Sequence, residues 1–197
     1  GYVNSLSTGP NNEAISLQVA VNPVVFNGSA SPVTTDIDAS NGTIHTINAV
    51  MLPPNVVNLS LNGADFTTLV AALTDTRHTT DFVSVLSGTG PFTIFAPTNA
   101  AFQALLDSDS TWNSLADIPI ATLDAVLSYH VTSGANVQSD ELTDGQTISM
   151  LSTGSVTVDL SSGAKLTTSS AQSINITATD VQGTNGVVHV IDNVMLP

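Results

Sequence analysis

Apolar and polar residues alternate in short runs through the first quarter of the chain. Over residues 15–21, Ile, Leu, Val and Val alternate with Ser, Gln and Ala, which is the period of a strand with one buried face. Further extended segments are predicted over residues 32–37 and 43–51. No segment before Pro53 has the length and 3.6-residue period of an amphipathic helix. Residues 1–53 are therefore predicted to be all β.

The pattern changes after the Pro53-Pro54 pair, and residues 54–58 are predicted to form an extended linker. Apolar residues spaced by three and four positions then predict helices, with Thr98 as the N-cap of the third. These helices cover residues 64–74, 79–86, 99–106 and 119–130. A buried strand is predicted over 92–96, and the period returns to two after Gly134. Short strands are predicted over 147–151, 156–160, 164–168 and 174–180.

The last fifteen residues contain the most apolar predicted strand. An Asn185-Gly186 pair, suited to a tight turn, precedes a run from Val187 to Val194 that is rich in β-branched residues. Both alternating sets of side chains are largely apolar, which is typical of a central strand covered on both faces. His189 lies in the middle of this run.

The same stretch occurs earlier in the chain. Residues 36–53 align without a gap on residues 180–197, at an offset of 144 residues, the difference between Pro53 and Pro197. This period has the size of a domain. The sequence therefore predicts one whole domain over 59–197, preceded by the all-β back half of another over 1–53. The apolar face of that half is expected to be covered either by sequence outside the chain or by a neighbouring molecule.

Charge and composition exclude several classes of partner. Lys and Arg total 2 against 16 acidic residues, for a formal charge of −14. Such a surface repels phosphate backbones and anionic lipid, which argues against nucleic-acid and membrane-surface binding. No apolar run approaches the ~18 residues of a membrane span. The abundance of Ser, Thr and Asn suggests an extracellular or cell-surface protein, and the chain start without Met suggests a processing or expression boundary.

The histidines give the main candidates for chemistry. His45 and His189 occupy equivalent repeat positions, and each is predicted to be a buried neutral imidazole bonded to a fixed polar group. Thr98 or Asn99 is the expected partner of His189. Neither histidine has a second His, Cys or Glu at metal-ligand spacing, so no metal or cofactor is expected.

Two acidic clusters resemble the start of a calcium loop, at residues 36–40 and 107–109. Both lack the glycine at the sixth position and the glutamate at the twelfth, which excludes an EF-hand and leaves an irregular site as an alternative. No nucleophile elbow, metalloprotease helix or phosphate loop is present. We therefore expect no catalytic site.

Three ordered blocks together resemble the fasciclin (FAS1) domain family. They are residues 92–102 (FTIFAPTNAAF), the Tyr129-His130 pair, and residues 185–197 (NGVVHVIDNVMLP). The resemblance implies an α+β wedge or sandwich, with the two signature strands side by side and helices on one part of the sheet. The expected structural core positions are His189, His45, Thr98, Asn99, Asn185 and Gly186.

The resemblance also implies a role. Fasciclin domains occur, often in tandem, in secreted and cell-surface proteins that bind matrix, other cells or themselves, and they share no catalytic site. In animal members the tyrosine-histidine pair is associated with receptor binding, so Tyr129 and His130 are candidate partner-binding residues, with packing as the alternative for His130. The predicted function is a non-enzymatic adhesion module in a tandem or self-associating, even fibrous, protein. The alternative is a glycan- or small-ligand-binding accessory domain of an envelope protein.

Overall fold

The computed structural model describes all 197 residues. Its twelve strands are β1 (Tyr2–Thr8), β2 (Ala14–Val21), β3 (Val24–Phe26), β4 (Pro32–Ala39), β5 (Gly42–Ile47), β6 (Phe92–Pro97), β7 (Val131–Ser133), β8 (Thr147–Ser149), β9 (Ser155–Asp159), β10 (Lys165–Thr167), β11 (Ser173–Gly183) and β12 (Gly186–Ile191). Its five α-helices are α1 (Val56–Leu61), α2 (Thr67–Leu73), α3 (Phe82–Leu86), α4 (Asn99–Asp107) and α5 (Ile120–Ser128). The predicted α+β class is confirmed.

The second part of the chain is built on a seven-stranded sheet in the order β7-β6-β12-β11-β10-β9-β8. β12 lies inside this sheet, antiparallel to β11 and parallel to β6. Gly186 aligns with Phe92 and Ile191 with Pro97, so the two signature strands lie side by side as the resemblance implied. Every residue of β12 except Val190 is buried, which confirms the prediction of a central strand.

Two apolar clusters hold the sheet in place. The larger one lies between the helices and strands β6 and β12, and it includes Leu59, Phe102, Leu123 and Val188. The smaller one lies towards β8–β10 and contains Phe95, Tyr129, Leu166, Ile174 and Met195, among others. Burial of these large side chains is the main term that stabilises the domain.

Some predicted boundaries are wrong. Helix α1 begins at Val56, inside the predicted linker, because Asn55 caps it by accepting from the amide of Asn58 and Val56 is fully buried. Helix α3 begins only at Phe82, since the carboxylate of Asp81, rather than a threonine, accepts from the amide of Ser84 at 2.9 Å. Helix α5 covers Ile120–Ser128 and ends before His130.

Residues 1–53 form strands and turns with a single short 3₁₀ segment, as predicted. Strands β1–β3 make a three-stranded antiparallel sheet that packs against β11 of the seven-stranded sheet. Here Gln182 N donates to Ser16 Oγ at 3.1 Å, and the side chain of Gln18 donates to Asn62 O at 2.7 Å. Strands β4 and β5 pair only with each other, and almost all of their residues are exposed.

Candidate functional site

His189 is buried at the centre of the sheet, with its side chain 1% exposed. Its Nε2 lies 2.9 Å from Val137 O, and its Nδ1 accepts from the amide of Asp180 at 3.3 Å. The ring stacks on Phe95 at 5.6 Å between centroids. Burial lowers the pKa of His189, so the ring is neutral and donates through Nε2. The buried position is as predicted, but the expected partners Thr98 and Asn99 are wrong.

Thr98 and Asn99 instead organise the start of α4. Thr98 Oγ1 accepts from the amide of Ala101 at 3.2 Å, which confirms it as the N-cap. The side chain of Asn99 accepts from Thr68 N at 2.8 Å and donates to Ala64 O at 3.1 Å. These contacts join α4 to the first turn of α2.

Tyr129 and His130 are both buried, with 0% and 3% exposure. Tyr129 Oη donates to Ser155 O at 2.6 Å. His130 Nδ1 donates to Val126 O at 2.7 Å, while Nε2 accepts from the amide of Met195 at 2.9 Å. Burial lowers the pKa of His130 to about 4. Neither side chain presents a surface to a partner, and the pair joins the end of α5 to the back half of the domain.

Asn185 lies in the turn before β12, and Gly186 is the first residue of β12. The buried amide of Asn185 donates to Leu86 O at 2.9 Å and to Gly88 O at 2.7 Å, and it accepts from Val56 N at 3.0 Å. One side chain thus connects α1, α3 and the sheet. Gly186 has a φ of +157°, and a Cβ there would lie 2.1 Å from Phe92 O. Only glycine fits this position.

The first hairpin (β4–β5) has the geometry of the second hairpin (β11–β12). Ile37 pairs with Ile44 as Val181 pairs with Val188, 144 residues later. His45 Nδ1 accepts from the amide of Asp36 at 3.1 Å, the same contact that His189 makes with Asp180. However, the His45 side chain is 47% exposed. The prediction of a buried core position is therefore wrong for His45.

Sequence reasoning missed one cluster beside α5. The buried His78 places Nδ1 against the Asp124 carboxylate and Nε2 at 2.6 Å from Ala72 O. Next to it, Arg77 binds the carboxylate of Asp75, and this pairing lowers the pKa of Asp75 to about 2. The sequence indicates this cluster only through the close spacing of Asp75, Arg77 and His78.

Arg77 also donates to a run of main-chain carbonyls after α4. The acceptors are Leu115 O, Ala116 O and Ile118 O, at 3.0, 2.9 and 3.2 Å. A planar guanidinium can serve this many acceptors at once. The contacts of His78 and those of Arg77 both connect loops to the helices, so the cluster stabilises the helical part of the fold.

The acidic clusters make local contacts. Asp109 accepts from the amide and the hydroxyl of Thr111 at 2.9 and 2.6 Å, and these bonds lower the pKa of Asp109. Asp107 accepts from the side chain of Gln103 at 2.8 Å. No group of three or more His, Cys, Asp or Glu side chains is arranged to hold a metal ion. No helix has the length and apolar character needed to cross a bilayer.

A cavity of about 490 Å³ lies between the β1–β3 sheet and residues of the helical part and the seven-stranded sheet. Its lining includes Tyr2, Gln18, Asn62, Asp65 and Thr177. Burial raises the pKa of Tyr2, and the nearby Asp65 carboxylate adds to this effect. The cavity has room for a small molecule, but its lining does not pair a nucleophile with a base.

The fasciclin domain family model matches residues 2–53 and 64–197. The chain therefore belongs to the fasciclin domain family, which confirms the resemblance read from the sequence. Its fold is also similar to a solved FAS1 domain pair from the insect cell adhesion molecule fasciclin I, with a TM-score of 0.64 at 18% identity. That likeness covers 100% of this chain and 67% of the domain pair.

Proteins with similar sequences occur in bacteria and in animals. An uncharacterised Synechocystis protein is 34% identical over 143 residues, covering 73% of this chain and 98% of that protein. Immunogenic protein MPB70 of Mycobacterium bovis is 32% identical over 187 residues, covering 92% of this chain and 89% of that protein. Mouse stabilin-1 is 28% identical over 81% of this chain, which corresponds to only 6% of stabilin-1.

Proposed function

We propose that this chain is a non-enzymatic extracellular adhesion module that binds partners through its outer surface. The observation that carries the proposal is the placement of polar and apolar groups. The candidate groups His130, His189 and Asn185 are buried and engaged in internal hydrogen bonds. Apolar residues of the first hairpin and the segment after it face solvent instead, including Val50 at 82% and Leu52 at 73% exposure. An exposed apolar patch of this kind is typical of a protein-binding surface.

The proposed partner is another protein or a matrix or cell-surface component, with homotypic contacts between fasciclin modules in a tandem or self-associating protein. The net charge of −14 favours neutral or basic partner surfaces over anionic ones. The composition, rich in Ser, Thr and Asn, supports an extracellular or cell-surface location. Tyr129 and His130 are proposed to be packing residues rather than contact residues.

A binding measurement with matched surface variants tests this function. The immobilised chain is exposed to matrix proteins and to a second sample of the same chain, and the double variant Val50→Gln/Leu52→Gln is compared with Val85→Gln. Val85 is also exposed, at 43%, but it lies on α3 away from the first hairpin. We expect the double variant to bind at least about tenfold more weakly and Val85→Gln to bind normally. Equal binding by all three proteins, or none by the native chain, would contradict the proposal.

The cavity beside Tyr2 supports a second candidate, the binding of a glycan or small polar ligand. Ligand sites combine an aromatic surface with a few polar groups, and Tyr2, Asn62 and Asp65 supply both. A glycan array probed with the native chain and with Tyr2→Ala would test this candidate. A specific glycan signal that Tyr2→Ala abolishes would support it, whereas an empty array would dismiss it.

A further inference from the structure

The first hairpin has an open edge at the place where the second hairpin is covered. In the complete domain, Phe92 N donates to Asn185 O at 2.9 Å and Thr98 N donates to Ile191 O at 3.3 Å. The odd-numbered residues of β12 therefore direct their peptide groups towards β6. The repeat gives Thr43, His45 and Ile47 the same orientation in β5, but β5 pairs only with β4. Unpaired strand edges of this kind attract a further strand.

Gly42 supplies a second observation. It is the repeat counterpart of Gly186, where a Cβ would lie 2.1 Å from Phe92 O. No atom lies within 4 Å of the corresponding Cβ position at Gly42. The first hairpin thus carries a glycine at the position where, in the second hairpin, a neighbouring strand leaves no room for a side chain. The space beside Gly42 fits the backbone of an incoming strand.

The segment after β5 gives a third observation. Val50 is 82% exposed, whereas its counterpart Val194 is 4% exposed in the complete domain. Met51 corresponds to Met195, which is fully buried and donates its amide to His130 Nε2. In the complete domain these contacts come from the helix-rich front half, defined here as residues 54–144. Residues 1–53, which precede and form the first hairpin, contain no such helix-rich segment.

An intact second copy cannot supply the missing strand. In each copy β6 already lies between β7 and β12, so both of its edges are occupied. A partner that adds a strand of this type must carry an unpaired front half. A fasciclin front half meets this requirement, whereas a folded neighbouring module does not.

We propose that β5 is an acceptor edge for the front half of a fasciclin domain, which adds a strand like Phe92–Pro97 parallel to β5. The register places the phenylalanine that begins the added strand beside Gly42. His45 then donates to a main-chain carbonyl of the partner, as His189 donates to Val137 O. The inference deepens the proposed binding role by naming the partner of the first hairpin.

A fusion protein tests the proposal with the whole chain retained. A second copy of residues 54–144 is joined directly before Gly1, which restores the 144-residue offset of the repeat. Amide hydrogen exchange is measured at Thr43, His45 and Ile47, and at Val187, His189 and Ile191 as a reference for the folded complete domain. We expect exchange at the three β5 amides to slow by at least about 100-fold while the fusion stays monomeric.

Gly42→Ala provides the discriminating variant. In the native 197-residue chain the new methyl group meets open space, so the unfolding midpoint should not change. In the fusion the methyl group collides with the added strand and should remove the protection at β5. Ser40→Ala, at an exposed turn position of the same hairpin, should leave that protection intact.

Three results would overturn the proposal. The first is unchanged exchange at β5 in a fusion whose β12 amides remain protected. The second is equal protection in the Gly42→Ala fusion. The third is protection of β5 in a dimer of the native chain, which would assign the edge to a second copy. A protected β5 combined with a native chain that binds no protein or matrix partner would count against the proposed adhesive function alone.

Discussion

The two hairpins have nearly the same backbone and quite different surroundings. Asp36 and Asp180 both have a φ of 61°, and each donates its amide to the histidine nine residues later. Yet Ile44 is 54% exposed and its counterpart Val188 only 2%. The local sequence therefore sets the shape and register of the hairpin, whereas a neighbouring segment decides whether it becomes core.

The largest expected difference in stability between the two hairpins is at the glycine that begins β5 (Gly42) or β12 (Gly186). Gly186→Ala places a methyl group 2.1 Å from Phe92 O, and the next nearest atoms, Phe92 N and C at 2.8 and 2.9 Å, also belong to the main chain and cannot move aside as a side chain could. We expect a loss of more than about 4 kcal/mol in the free energy of unfolding, or failure to fold. Gly42→Ala should change it by less than about 0.5 kcal/mol. Urea unfolding of the two variants checks this pair, and similar losses would refute the comparison.

The next largest difference in the free energy of unfolding is expected between the variants His189→Ala and His45→Ala. His189→Ala removes both ring hydrogen bonds, leaves Val137 O without its donor and opens a cavity beside Phe95. We expect a loss of about 3–4 kcal/mol from the unpaired groups and the cavity together. His45→Ala, on the exposed copy, should cost less than about 0.5 kcal/mol. A His189→Ala protein as stable as the native chain would show that the ring is not a core group.

Replacing Asn185, before β12, or Asn41, before β5, should give a smaller difference in the free energy of unfolding. Asn185→Ala removes two donated bonds and one accepted bond, and these connect α1 and α3 to the sheet. We expect a loss of about 2–3 kcal/mol, since the carbonyls near α3 can regain water in part. Asn41 is exposed, and Asn41→Ala should be close to neutral. Thermal unfolding measures both variants, with equal shifts as the contrary result.

The sequence predicted the parts of this structure that depend on local pattern. The Thr98 cap, the buried character of β12 and the duplicated hairpin all follow from residue types at fixed spacing. The exposure of His45 did not follow, because burial of the equivalent His189 depends on β6, where its neighbour Phe95 lies 94 residues earlier in the chain (189 minus 95). The partners of His189 were missed for the same reason, since they are main-chain groups that any sequence provides.

The smallest expected effect is the change of stability with pH. Amide exchange should show this change at the second hairpin and not at the first. Folding lowers the pKa of His130 to about 4, from an unfolded value of about 6.5. Between these values the unfolded chain binds a proton that the native ring does not, so stability falls as the pH is lowered from about 6.5 towards 4. The lowered pKa of His189 acts in the same direction.

We expect His130 alone to cost about 2 kcal/mol between pH 7 and pH 5. Hydrogen exchange should show β12 amides losing protection over this range, after correction for the intrinsic rate. The amides on the open edge of β5 should stay unprotected throughout, because no neighbouring strand covers them. A His130→Gln variant, once shown to be folded, should have a flatter profile at β12. Stability that is constant or rises on acidification would contradict the neutral, buried state of these rings.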